Sequence, residues 1–347
     1  WILSGDNTYT GNTTVTLGAL NISHSNALGV AGALGSSGTT VSSGAALQMQ
    51  GDITVGAEAL SLTGTGISAT GALRNISGSN TYGGAITLAG VTRINSDAGL
   101  LTLSGGISGD ARNLTIGGAG DTTISNAIAT TTGTLTKDGA GTLILSGNNS
   151  YSGLTTVSQG TLAVNGSVAG AVAVNSSATL QGSGSIGGAL SVSGQLSPGN
   201  SIESIGASSV SFMNGSTYAY ELNSSVLGGD LLYTTGALSI ASATTLSLTE
   251  LATGTLAMNG KLTLISYGTW NGGLFTYNGN TLNNGDKFTL GSNEWLFKYD
   301  DTTGGSNFLS DQAGATRYIT MTVVPEPNVA MMVGSLALVT LLRRHRD

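Results

Sequence analysis

The chain has 347 residues, 55 of them glycine, with a net charge of −7 and no cysteine. Charged residues make up 8%, against about 25% in ordinary globular domains. These values exclude disulfide staples, thiolate metal sites and cysteine nucleophiles, and the lack of a basic patch excludes nucleic acid as a partner.

The N-terminal residues set a grammar that returns along the chain. Residues 1–15 read Trp-Ile-Leu-Ser-Gly-Asp-Asn-Thr-Tyr-Thr-Gly-Asn-Thr-Thr-Val. Residues 143–157 read Leu-Ile-Leu-Ser-Gly-Asn-Asn-Ser-Tyr-Ser-Gly-Leu-Thr-Thr-Val, and residues 76–88 give a weaker copy. The heads of the copies, Ser4, Ser77 and Ser146, lie about 70 residues apart. Trp1 falls inside a copy, so any export signal is expected upstream of it. Shorter units of the same kind fill the gaps, such as Leu100-Leu-Thr-Leu-Ser-Gly and Val172-Ala-Val-Asn. Each alternates apolar and small polar residues, then turns at Gly, Asn or Ser. That is a period-2 strand bounded by turn chemistry.

One such strand buries too little to be stable. Stacked in register about 4.8 Å apart, the apolar positions form one interior. The spacing predicts a β-solenoid over residues 1–250, with coils of about 20–25 residues and a rod of about 50 Å. A β-sandwich has similar strand spacing. Scarce long strands and scarce core aromatics favour the solenoid.

The stretch 135–165, beginning Leu135-Thr-Lys-Asp-Gly-Ala-Gly-Thr-Leu-Ile-Leu-Ser-Gly, resembles the autotransporter-associated β-strand repeat. The stretch from Leu180-Gln-Gly-Ser-Gly to Leu196-Ser-Pro-Gly-Asn-Ser201 resembles what commonly follows that repeat. The likeness is fainter at 1–20 and faintest at 70–90. It implies a right-handed parallel β-helix of the kind found in secreted passengers. Such proteins end in an outer-membrane barrel of alternating strands with aromatic girdles. No such pattern stands here, so passage through a barrel of its own is not expected.

Near residue 260 the composition shifts. Ten of the 18 aromatics lie between Lys261 and Val324. Larger side chains imply a thicker core, and 251–324 is read as a β-rich cap closing the solenoid's end. Within it, 288–299 predicts a hairpin turning at Gly291–Asn293. Exposed aromatics there would instead stack on sugar rings.

The last segment is a different kind of signal. Val324-Pro325-Glu326-Pro327 is rigid and extended. An apolar run follows over 329–342, then Arg343, Arg344, His345 and Arg346. As one short hydrophobic helix the run spans roughly 21 Å, short of the roughly 30 Å hydrocarbon core. It has no polar stripe, and three Arg follow it in the positive-inside pattern. Motif, spacing and basic end resemble the PEP-CTERM sorting signal. The resemblance implies export in a Gram-negative bacterium, a transient inner-membrane hold through 329–342, and an exosortase-type partner acting near Val324–Pro327. Arg343, Arg344 and Arg346 would form the cytoplasmic stop.

No constellation for chemistry stands out. His24 lies in a polar turn and His345 in the tail, so a Ser–His–Asp triad has no base with a motif around it. The acids before residue 240 are scattered singly. Asp300, Asp301 and Asp311 would make a weak calcium loop at best. No catalytic residue, cofactor or metal is expected. The reading is an exported, non-enzymatic cell-surface or matrix protein: structural, adhesive or associated with exopolysaccharide. A polysaccharide-active β-helix enzyme and an ice- or surface-binding protein are the alternatives. A Thr-x-Thr pair in every coil would favour the last, and the sequence shows no such regular row.

Overall fold

Three short strands per turn of chain, separated by glycine- and asparagine-rich corners, recur along the computed structural model, which describes residues 1–32 and 37–325. The turn in the middle of the chain is representative. Ile107–Ser108, Leu114–Gly117 and Asp121–Ile124 are followed by Ile128–Ala129, Leu135–Lys137 and Thr142–Leu145. Each strand pairs in parallel with its counterpart one turn on. The chain is thus all-β with long parallel sheets, in the pairing pattern of a β-helix-like solenoid. Among the described residues the one helical piece is the short 3₁₀ turn Ile67–Ala69. The hydrophobic helix expected over 329–342 lies outside the described residues.

The interior follows from the alternation. Leu101, Thr122, Leu143, Leu162, Leu180, Leu196, Tyr218 and Leu246 stack in one column, one residue per turn. All are buried. Facing them, Leu20, Leu47, Leu73, Ile94, Ile116, Lys137, Val157 and Val174 form a second column. Period-2 sequences place one apolar residue inward per strand face, and each fully buried Leu or Ile contributes roughly 1.5–3 kcal/mol.

Turn length varies more than the expected 20–25 residues. Leu101, Thr122 and Leu143 are 21 apart. Val157 and Val174 are only 17 apart, whereas Ala237 and Thr269 are 32 apart. The cause lies in the corners. Between Val157 and Val174 the corners take two or three residues each, whereas Ala237 to Thr269 includes the eight-residue connection 253–260 after strand Thr244–Ala252.

Parallel pairing gives way to antiparallel pairing near residue 261. Lys261–Tyr267 pairs with Arg317–Val324, and that strand pairs with Asn293–Asp301. Lys287–Leu290 and Asn293–Asp301 make a hairpin turning at Gly291 and Ser292. This end is filled with large rings: Phe275, Trp295 and Phe297 are fully buried, and Phe275 stacks on Tyr218 at 6.1 Å. Phe275 and Tyr218 therefore continue the parallel core into the antiparallel part.

Candidate functional surface: hydroxyl rows and tied carboxylates

The outward residues of the same strands also align into columns, and most are Thr or Ser. Thr54, Thr81, Thr102 and Thr123 are register partners on four successive turns. The next turns place Ile144 and Ala163 there, and the Thr row moves to the neighbouring column as Thr142, Thr161 and Thr179. A second face carries Thr14, Thr40, Ser61, Thr87 and Ser108. A third carries Thr115, Thr136 and Thr156, then Ser191, Ser211 and Ser239 beyond Ala173. Parallel register sets the hydroxyls about 4.8 Å apart. Ser239 Oγ donates to Ser211 Oγ at 3.1 Å. The rows never pair Thr with Thr in one strand: Leu100 stands beside Thr102 and Asp121 beside Thr123.

Most of the scattered acids prove to be ties between turns. Asp52 Oδ1 accepts the Ser79 N–H at 2.6 Å, and Asp121 Oδ1 accepts the Thr142 N–H at 2.7 Å. Asp138 receives both Nη groups of Arg93, at 2.7 and 2.8 Å, from two turns away. Asp97 takes Arg74 Nε at 2.6 Å. Asp300 and Asp301 do not form a calcium loop. Asp301 pairs with Lys261 at 3.1 Å and accepts from Thr320, Asp300 pairs with Arg317 at 3.0 Å, and Asp311 accepts from Ser204. Among the described residues no group of three His, Cys, Asp or Glu could hold a metal ion. His24 Nδ1 accepts the Asn26 N–H at 3.2 Å, a local turn bond.

Three buried titratable groups escape a reading by motif. Glu58 accepts from Gly32 N–H and Thr39 Oγ1, at 3.1 and 2.7 Å, and burial still pushes its carboxyl up. Asp230 is fully buried and accepts the Glu203 and Glu221 amides at 3.1 and 2.9 Å. Desolvation outweighs those bonds and, with the nearby Glu221 and Glu203 charges, raises it to about 8. Lys137 sits in the core column between Ile116 and Val157. Its Nζ donates to the carbonyls of Asp138, Gly139 and Gln159 at 2.8, 2.8 and 3.2 Å. Burial lowers its pKa to about 8 against the opposing pull of Asp138 and Asp121. The alternation of Leu135-Thr-Lys137 does mark Lys137 as inward-facing; Asp230 has no such pattern, because one of its amides comes from Glu203 a turn away and the other from Glu221 across the antiparallel fold-back at Leu222↔Gly229.

Of the sorting-motif residues, Val324 ends the last strand beside Glu294 and Pro325 is exposed. Glu326, Pro327, Arg343, Arg344 and Arg346 lie outside the described residues. Among the described residues no helix is long and apolar enough to cross a membrane.

The segments that carry the repeat grammar have known counterparts. The Passenger-associated-transport-repeat family model matches residues 1–22 and 135–164. Two curated proteins described as extracellular serine protease, both from Serratia marcescens, are 62% and 60% identical to the chain over 45 residues. The match covers 13% of this chain and 4% of each relative. The likeness is thus confined to a short segment within much longer proteins.

Proposed function

We propose that this protein is an exported, non-enzymatic component of the cell surface or extracellular matrix, built as a right-handed β-helix and held to its surroundings by uncharged hydroxyl rows. The observation that carries this reading is the pairing of Thr/Ser columns on three faces with carboxylates already committed to joining turns. Hydroxyl rows offer donors and acceptors together, each contributing little, so contact with a hydroxyl-rich polymer would be broad and weak. The passenger-type repeats support export, and the relatives named extracellular are consistent with it. The tail supports sorting by an exosortase-type enzyme, with 329–342 as a transient inner-membrane hold and release near Val324–Pro327. The staggered Thr rows speak against a flat crystal or ice lattice, which needs paired columns. The carboxylates tied between turns speak against a glycosidase, whose two catalytic carboxyls must stand free across a groove.

Cell fractionation with intact-mass measurement tests the sorting. An active exosortase is expected to shift the protein from the inner membrane to the surface and to remove mass at the C-terminus. Unchanged location and mass would overturn it. Co-sedimentation of the full chain with insoluble polysaccharide tests the contact, and a protein that stays wholly in the supernatant would sink that part.

A further inference from the structure

The antiparallel end carries a recess that the hydroxyl rows do not explain. Phe275–Tyr277 and Asn280–Thr281 form a tight hairpin through Asn278 and Gly279, both at positive φ, 49° and 77°. That two-residue turn matches the twist of the ribbon. The next hairpin brings Phe288 against Tyr277, with ring centroids 4.8 Å apart and planes tilted by 45°. Both rings are half-buried, so each keeps a wet surface. Trp295, the cross-strand partner of Phe288, is fully buried and fixes that strand from beneath.

Between the hairpins lies a solvent-open recess of about 280 Å³, lined by Tyr277, Phe288, Asn278, Asn280, Asp286 and Lys287. It stands at the small end of the roughly 300–1,000 Å³ of small-molecule sites. Asp286 is held in place: its Oδ2 accepts Asn283 N–H at 2.7 Å and Asn283 Nδ2 at 3.1 Å. Its Oδ1 has no hydrogen-bond partner among the described residues. The one carboxylate and the one ammonium cancel, so the lining is neutral. A charged ligand gains nothing there. A purely aliphatic one would desolvate Asp286, Lys287 and two amides without pairing them. A pyranose suits both halves, giving its C–H face to the rings and its hydroxyls to amide and carboxylate.

We propose that this recess binds one ring of a neutral polysaccharide, with Tyr277 and Phe288 as the stacking platform and Asp286 and Asn280 as hydrogen-bonding groups. The proposal deepens the surface reading above by naming a ligand class and a place, and rests on it only for the supply of polysaccharide.

Calorimetric titration of the full chain with cellotetraose, laminaritetraose, maltotetraose and an aliphatic tetrapeptide tests it. Saturable binding of at least one tetrasaccharide is expected, about tenfold weaker in Tyr277→Ala and in Asp286→Ala, with the thermal midpoint kept. Should Tyr277→Ala fail to fold, Asn280→Ala, at an exposed side chain, is expected to weaken binding without touching the core. No saturable sugar binding, equal binding in all variants, or preference for the peptide would overturn the proposal. Co-sedimentation with insoluble polysaccharide separates the two readings. If Tyr277→Ala still sediments while soluble sugars never bind, the hydroxyl-row reading stands and the recess fails.

Discussion

Tyr151 and Thr155 share a buried hydrogen bond, Oη to Oγ1, at 2.7 Å. The same pair recurs at Tyr9 and Thr13 at 2.8 Å. The third repeat copy breaks it. Tyr82 is equally buried, but Ile86 stands where the Thr would be, and Tyr82 Oη has no partner among the described residues. Two variants separate these cases. Tyr151→Phe leaves Thr155 with a buried unpaired hydroxyl and is expected to cost about 1–2 kcal/mol, whereas Tyr82→Phe removes an orphan and is expected to be neutral or stabilising. Denaturant unfolding of both variants checks the contrast, and equal losses would refute it.

Glycine at the corners is predicted to matter by place. Gly139 has φ +74°, and a Cβ there would lie 2.4 Å from the Gly118 carbonyl oxygen. Gly44 has φ +81° with open space around it. Both pay the left-handed strain of an L side chain, about 1–2 kcal/mol. Only Gly139→Ala also forces backbone apart, so it should cost at least about 1 kcal/mol more than Gly44→Ala. Thermal midpoints measured side by side decide this.

Lys137 gives a pH dependence whose sign is fixed. Its folded pKa is about 8 and its ordinary value 10.5. Between those values the unfolded chain binds more protons, so this group makes stability rise as pH increases from about 8 to 10.5. Lys137→Met should remove that rise. A wild-type-minus-variant difference in unfolding free energy that stays flat over this window would show the premise to be wrong.

Asp230 works in the opposite direction. Its folded pKa is about 8 against an ordinary 3.8. The folded state binds the extra proton between these values, so stability falls as pH rises through the window. Asp230→Asn should flatten that fall. The check is the slope of stability against pH between about 4 and 8 in both proteins.

The parallel stack was legible because burial demands alternation, and Leu60-Ser-Leu62 or Leu190-Ser-Val192 can satisfy it in one way only. The Thr rows were not legible as rows. Val55 and Tyr82 are register partners 27 residues apart, whereas Tyr82 and Leu103 are 21 apart. A change in corner length moves a Thr to another column without altering its local pattern. Asp230 was invisible for a related reason: Glu203 reaches it from the preceding turn, and Glu221 through the antiparallel fold-back at Leu222↔Gly229. The recess at Tyr277 and Phe288 was half visible. The aromatic enrichment was plain, but a hairpin turn through Asn278 and Gly279 was needed to show which rings keep contact with water. For the proposed sorting signal only linear order speaks, since nearly all of it lies outside the described residues.

The parallel pairing has a mechanical side. Its hydrogen bonds point from one turn to the next, along the direction in which the turns accumulate. Tension applied between the two ends therefore loads those bonds a few at a time, like opening a zip, rather than shearing a whole ladder at once. Arg93, gripping Asp138 across two turns, and Lys137, reaching to Gln159 in the following one, are rivets in that seam. A rod made this way yields in short steps under load, lengthening by about 20 residues of chain per step, and absorbs a tug without losing its whole structure.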